Sequence, residues 1–484
     1  MHDVIGSMGR NRFPCSCLSR YMTLALAIVV VAVCSGCAGP RAPRPDVVFL
    51  IVVDTLRPDR LSCYGYSEIT TSNIDMLARE GVRFEQAQSV ASWTIPSMGS
   101  MLTSLYPTQL GLVEQKAPSG TRFEWQERRE QNASSIPLWE RTLAEVLQDE
   151  GFHTAAFVNQ PGLITGEGFM QGFDDWYYPV TPDTIRRREP GERIALPEWP
   201  PLLGQAAVAD LALVRKFDEW LGEHTQEKLF VWLHLLTPHR PYNPPQGFEL
   251  VPQDQATSSQ KYDGELRFVD ALMGHVLASI EKRVGWTRPL IVFTSDHGEA
   301  LGEHGMFDHG HSLHREVIHV PLIMTAKALP AGRVVDPTVR TIDILPTILD
   351  LLDFGSLAPQ DIRGSSLLPL IDGGNADLFV YSEAMLYGST ERSVIAGNYK
   401  LMYDEQDDQY ALYDTHTDRA EKRNVIGVHR PRAVKMQTLL SDLHGNLVGD
   451  YRQRRAGVEA DSTASQEEAR RLLKAMRSLG YLNE

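Results

Sequence analysis

Residues 45–54 read PDVVFLIVVD, an almost unbroken apolar run that closes on an acid. Such a run predicts a strand buried on both faces of a parallel sheet, with its last residue delivered to the C-terminal edge. PLIVFTSDHGE, at 289–299, repeats the design and ends on Asp296 and His297. Two buried strands that both hand over polar, metal-type side chains predict an open α/β sheet with its site at that edge. Further strands are expected at 154–158, 229–235 and 320–324. Helical periodicity is expected at 73–80, 137–150 and 205–221, the three stopping at Gly81, Gly151 and Gly222, and again at 264–282 and 339–352. Alternation of this kind favours a large, mostly parallel sheet flanked by helices.

The texture changes near residue 365. LFVYSEA, RSVIAGNYKLMYD and QYALYDT are short, aromatic and β-branched, and they are separated by turn residues. They predict a small antiparallel sheet, followed by a terminal helix at 465–479. The chain therefore divides into a catalytic α/β domain at 45–364 and a smaller C-terminal subdomain at 365–484. The polar stretches 115–135 and 178–200 are expected to be loops around the site opening.

The first 44 residues read as an address. Arg10, Arg12 and Arg20 precede an apolar run at 22–33, too short to span a bilayer comfortably but of signal-peptide length. It ends in VCSGC, which resembles a bacterial lipoprotein processing site. Residues 1–36 are therefore expected to be a signal peptide, with Cys37 lipidated and 37–44 a tether; an uncleaved apolar anchor is the alternative. The expected location is the periplasm or cell envelope, with membrane contact only through that anchor. All five cysteines lie within the first 63 residues, so no disulfide framework supports the fold. The net charge is -15 and becomes more acidic once residues 1–36 are removed, which disfavours a nucleic-acid partner. Oligomeric state is not legible.

Asp54, Asp296 and His297 make a plausible site for one divalent metal, since carboxylate oxygens with one imidazole suit Mn, Zn or Ca. In SWTIPSMGSML, Thr94 stands two residues before Pro96, where a helix can start and its free N–H groups favour an anion. Thr94 taken alone reads more readily as a simple helix cap, and it is its neighbours that shift the reading toward chemistry. Nine of the fifteen histidines fall between His234 and His319, dense enough to suggest imidazoles that bind charged oxygens or protonate a leaving group.

Five stretches, DTLRPDRLSCYGY, SWTIPSMGSMLTSLYPTQLG, HLLTPHRPY, FTSDHGEALGEHG and YKLMYDEQDDQYALYDTHTD, together resemble the sulfatase family of the alkaline phosphatase superfamily, in order, across residues 45–425. The resemblance implies an alkaline-phosphatase-like α/β domain and a C-terminal antiparallel sheet. It places Asp54, Asp296 and His297 at metal positions and Thr94 at the nucleophile position. His239 and His309 fall at positions that handle the anionic or leaving oxygens.

The departures are chemical. Sulfatases carry formylglycine made from Cys or Ser in a C/S-x-P-S-R motif, whereas this chain has Thr-Ile-Pro-Ser-Met; Thr55 also replaces a second Asp. Formylglycine is therefore not expected, and Mn or Zn is favoured over Ca. A formylglycine hydrate has two hydroxyls, so one can attack and the other can expel the product. Threonine has one, and its ester must be opened at the central atom, which is easier for phosphorus than for sulfur. These points lead to the expectation of a phosphate-ester hydrolase working through a covalent Thr94 intermediate on a small anionic substrate. The alternatives are a sulfatase using a route without formylglycine, a phosphotransferase and a non-catalytic anion-binding homologue.

Overall fold

The computed structural model describes residues 44–113, 135–164, 167–188, 205–376, 378–383, 386 and 390–478. The signal peptide, Cys37, residues 38–43 of the tether, residues 115–134 and, of the expected 178–200 loop, residues 189–200 lie outside the described residues; its described part, 178–187, is not a loop but the end of one strand and the whole of the next, which pair across a tight turn. Strand β1 (Val47–Val53) is buried at every position, as its apolar run requires. Helix α1 (Ser72–Glu80) leads into β2 (Val82–Gln88), then α2 (Thr94–Thr103), α3 (Leu143–Asp149) and β3 (His153–Val158). β4 (Asp175–Thr181), β5 (Thr184–Arg187), α4 (Ala206–Glu223), β6 (Leu229–Leu235), α5 (Ser258–Arg283) and β7 (Pro289–Thr294) follow. A short ribbon of β8 (Ala300–Leu301) and β9 (Phe307–Asp308) precedes β10 (His319–Thr325), β11 (Arg333–Arg340) and α6 (Ile344–Leu351).

These strands, the ribbon apart, form a nine-stranded sheet in the order β11-β2-β10-β7-β1-β6-β3-β4-β5. The block β7-β1-β6-β3-β4 is parallel, while β10 runs against both β2 and β7, and β5 runs against β4. The expected large, helix-flanked sheet is present. Its antiparallel members are β10, whose VPLIM run carries no orientation signal, and β5, which returns from β4 through a tight turn. Alternate side chains of the central strands enter two cores. Val48, Leu50 and Val52 face one with Met98, Leu102 and Trp232; Phe49, Ile51 and Val53 face the other with Phe217, Tyr262 and Leu266.

The C-terminal part forms a second, antiparallel sheet of β12 (Phe379–Ser382), β13 (Glu391–Ala396), β14 (Tyr399–Asp404) and β15 (Gln409–Asp414). Helix α7 (Arg430–Ser478) packs Ala433, Met436 and Leu440 against it. The expected terminal helix therefore starts some thirty-five residues earlier than its apolar spacing at 465–479 announced, because its first turns are held by this packing. Among the described residues no helix is long and apolar enough to cross a membrane.

Candidate functional site

The parallel strands place the site where their C-terminal ends meet. β1 hands Asp54 to this edge, where the Asp54 amide donates to Leu235 O of neighbouring β6 at 2.9 Å. Thr55 follows with φ 57°, a left-handed conformation that β-branched residues rarely adopt. The turn is pinned by Tyr262, whose hydroxyl donates to Thr55 O (2.8 Å) and accepts from Arg57 N (3.0 Å). After β7, Gly298 lies so close to the Glu316 carbonyl that a Cβ would come within 2.2 Å of it, which is why this turn in SDHGE takes a glycine.

Asp54, Asp296 and His297 are all fully buried, and their ligand atoms lie within 4.8 Å of one another. His297 Nδ1 donates to Gly298 O at 2.9 Å, which fixes the tautomer and leaves the Nε2 lone pair facing the acids. Nε2 is 3.3 Å from Asp296 Oδ2 and 3.6 Å from Asp54 Oδ1. Neither of those two oxygens has a hydrogen-bond partner. The two carboxylate oxygens are buried acceptors without a donor, and they face an imidazole lone pair that the Thr94 hydroxyl reaches at 3.2 Å, an acceptor-rich arrangement that a divalent cation satisfies. Burial, and then the Asp296 charge, push the Asp54 carboxyl up to about 8. Asp296 is held below its ordinary value, because His297 and His234 outweigh its burial.

Thr94 is the first residue of α2, after Trp93 at the helix cap. Its side chain does not cap the helix. Oγ1 accepts from Gln160 Nε2 at 3.2 Å, and lies 3.2 Å from His297 Nε2 and 3.5 Å from Asp54 Oδ2. Ser97, one turn on, donates to Asp296 O at 2.5 Å and so ties the helix to the β7 turn. Met98, at the position of the arginine in the formylglycine motif, is fully buried in the core behind the site.

His309 packs against His297 with ring centroids 4.4 Å apart and planes tilted by 41°, and His239 stands edge-on beside His309 at 4.9 Å. The structure thus brings all six sequence-derived candidates, Asp54, Thr94, His239, Asp296, His297 and His309, to one sheet edge. His309 Nδ1 is 3.0 Å from both Glu299 Oε1 and Asp308 Oδ1. Burial holds His297 and His309 below the ordinary imidazole value. His239 Nδ1 donates to Arg240 O at 2.6 Å, leaving Nε2 for a substrate.

Two neighbours escaped the sequence reading of the site, and a third, His234, entered it only as one end of the histidine-dense stretch. Gln160 follows β3 at the same edge as the acids, and that position was its only available signal. Glu299, fully buried, stands in the quoted SDHGE stretch but carries no spacing that marks it as the partner of His309. His234 is fully buried on β6 with Nε2 3.6 Å from Asp54 Oδ2. Burial lowers it to about 4, so it sits there neutral.

The sulfatase family matches residues 46–354, which include all six candidates and the whole sheet. The chain belongs to the sulfatase family. A second match, to the N-sulphoglucosamine sulphohydrolase C-terminal family, covers residues 302–448. Among similar proteins, this sulfatase-family chain is 25% identical to the N-acetylglucosamine-6-O-sulfatase of Bacteroides thetaiotaomicron, over 88% of this chain and 89% of that one. It is 25% identical to the N-acetylgalactosamine-6-sulfatase of Canis lupus familiaris, over 83% and 80%. In fold it is similar to a solved structure bound to its substrate D-glucosamine-2-N,6-O-disulfate, with a TM-score of 0.65 and 21% identity, covering 85% of this chain and 99% of that one. The fold and the buried metal-type cluster make the chain a metal-dependent ester hydrolase.

These relatives overturn the expectation of a phosphate-ester hydrolase with a covalent Thr94 intermediate: they are sulfatases, matched over most of the chain. The expectation rested on the step that a lone hydroxyl cannot complete on sulfur, and it took for granted that the hydroxyl must form the ester. A hydroxyl held between Gln160 and the acids can serve without forming any bond to substrate.

Proposed function

We propose that the protein is a sulfuric ester hydrolase acting on a sulfated carbohydrate by direct attack of water, with Thr94 at the position that formylglycine occupies in other sulfatases. The observation that carries this reading is the convergence of Thr94, Asp54, Asp296 and His297 in a chain whose relatives are sulfatases. Asp54, Asp296 and His297 would hold one divalent cation, Mn or Zn in preference to Ca given the imidazole and the missing second Asp. The bound cation would supply Lewis-acid polarisation of the sulfate oxygens and favour ionisation of water.

The residues of the chain do the rest. Thr94 Oγ1, accepting from Gln160 Nε2, keeps a lone pair and a proton with which to hold a water in line behind sulfur. Thr94 opens α2, so the positive end of that helix would lie beside the developing negative charge. The water oxygen bonds to sulfur and releases one proton to solvent, the bond from sulfur to the sugar oxygen breaks, and His239, assisted by His309, protonates that oxygen as it leaves and is then reprotonated from solvent. Ester and water thereby give alcohol and hydrogen sulfate. Glu299 and Asp308 hold His309 through Nδ1, so its ring keeps one orientation during transfer.

The carbohydrate substrate is suggested by the relatives named above, which act on N-acetylhexosamine sulfates by their names. Export with lipid attachment at Cys37 belongs to the same proposal and rests on the arginines, apolar run and VCSGC of the first 37 residues. The test is sulfate release from 6-sulfated N-acetylglucosamine, followed by ion chromatography with Mn, Zn or Ca supplied. Release that depends on Asp296 is the expected result; sugar left fully sulfated in every metal, beside turnover of a phosphate ester, would overturn the reading.

A further inference from the structure

The opposite edge of the sheet carries a second set of metal-type side chains. His153 opens β3, Asp175 opens β4, and Glu227 stands two residues before β6. β4, β3 and β6 are mutually parallel, so these residues lie at the N-terminal ends of the strands whose C-terminal ends face the catalytic edge. One strand length separates the two edges, roughly 20 Å at about 3.3 Å per residue. His224 joins them from the C-terminal end of α4.

Each histidine has one nitrogen committed to the protein. His153 Nε2 is 2.9 Å from Asp175 Oδ2, and that carboxylate is itself fixed by Trp220 Nε1 (2.9 Å) and by an ion pair with Arg187. His224 Nδ1 donates to Trp220 O at 2.8 Å, and its ring stacks on the Trp220 indole with centroids 4.2 Å apart. An imidazole that donates one N–H to a carboxylate or carbonyl presents the lone pair of its other nitrogen in a fixed direction, the usual support beneath a metal-ligating histidine. His153 Nδ1 is 2.8 Å from Glu227 Oε2. One nitrogen from each histidine and one Glu227 oxygen all lie within 4.8 Å of one another. His153 and His224 border a surface cleft of about 840 Å³ that also touches Asp174, Tyr177 and Glu223, leaving room for a further ligand from solvent.

We propose that His153, His224 and Glu227 form a peripheral binding site for a borderline divalent cation of the Zn(II) class, with Asp175 and Trp220 orienting the two imidazoles. Two imidazoles and one carboxylate match the preference of such ions over Ca or Mg. The bound ion would tie the end of α4 and the segment leading to β6 onto the strands near the sheet edge. Without the ion His153 bridges Asp175 and Glu227 by hydrogen bonds from its two nitrogens, and the ion would take the place of the one to Glu227. The site does not depend on the sulfatase reading, because none of its residues belongs to the catalytic edge.

Equilibrium dialysis of the full chain against Zn(II) alone tests the site, comparing wild type with the double variant His224→Ala/Glu227→Gln. Both side chains reach the surface, and far-UV circular dichroism checks that the variant is folded. The wild type is expected to retain one more equivalent of Zn(II) than the double variant, to melt higher with Zn(II) than without it, and to turn over its ester at an unchanged rate when the pair is replaced. X-ray absorption at the Zn edge of Asp296→Asn protein, whose catalytic cluster is disabled, is expected to show nitrogen ligands from two imidazoles. Equal Zn(II) content in wild type and double variant, or no Zn(II) retained by Asp296→Asn protein, would overturn the proposal.

Discussion

Replacing Glu421 by Gln removes one charge from a buried network that joins the small sheet to the chain entering β10. Glu421 is 3% exposed, and its carboxylate accepts from Lys400 Nζ at 2.8 and 3.0 Å and from Arg315 N at 3.0 Å, with His314 Nδ1 at 3.1 Å. Lys400, on β14, is fully buried. Burial pushes the Glu421 carboxyl up, but Lys400 and His314 together pull harder and hold it at about 2. Against an ordinary value near 4.5, that shift corresponds to about 3 kcal/mol. Leaving a buried ammonium without its counter-charge costs about 3–5 kcal/mol by the independent route of pair-breaking mutations. An unfolding entropy of roughly 2.1 cal/mol/K per residue, over the unit that begins at Arg44, converts this to a melting-temperature loss of about 3–5 °C. The folded pKa lies below the unfolded one, so the stabilisation is complete above about pH 4.5 and fades as the pH falls toward 2. Differential scanning calorimetry should therefore show a gap between wild type and Glu421→Gln at pH 7 that narrows toward pH 3. Lys400→Met/Glu421→Leu, which removes both charges, should recover most of the loss. Equal melting at pH 7, or a gap indifferent to acid, would refute the reasoning.

Further outcomes follow from the site. Thr94→Ala should lower kcat/KM for a sulfate ester by roughly 10–100-fold, the weight of one or two hydrogen bonds. Thr94→Ser should keep most of the activity, and intact-mass spectrometry during turnover should find no covalent adduct on Thr94. Asp296→Asn should reduce metal content at the catalytic cluster; unchanged occupancy would remove Asp296 from the ligand set. Because Asp54 is raised to about 8, protons compete with the cation below that value, and metal affinity should climb by up to about tenfold per pH unit between pH 6 and 8; a flat titration would contradict the assignment. Gln160→Ala frees the Thr94 lone pair from its donor and should cost roughly fivefold in kcat with little change in KM.

The central strands and the metal-type cluster were legible because burial on both faces leaves a continuous apolar run, and because Asp54, Asp296 and His297 directly terminate those runs. β6 was read to the residue for the same reason. β2, β4, β5 and β11 were not read. VRFEQAQ alternates only in part, TIRR is an exposed edge segment, and RVVDPTVR carries a proline and a register shift. Their strand character comes from neighbours rather than from their own periodicity. The helix predicted from 339 begins at Ile344, since Val339 is still paired to Ala87 in the sheet. At the site, residues that stand alone in sequence, Gln160 and Glu299, gain meaning only from what folding places beside them. The substrate inference went astray at the nucleophile: residue type shows how many hydroxyls are present, and it does not show whether one of them must become an ester.

The most direct test of the central claim is the ratio of kcat/KM for a matched pair, an aryl sulfate and the corresponding aryl phosphate, on the same metal-reconstituted protein. Direct sulfate-ester hydrolysis predicts faster turnover of the sulfate, reduced in Thr94→Ala and lost in Asp296→Asn. Faster turnover of the phosphate, with a phosphorylated Thr94 trapped on the way, would contradict it.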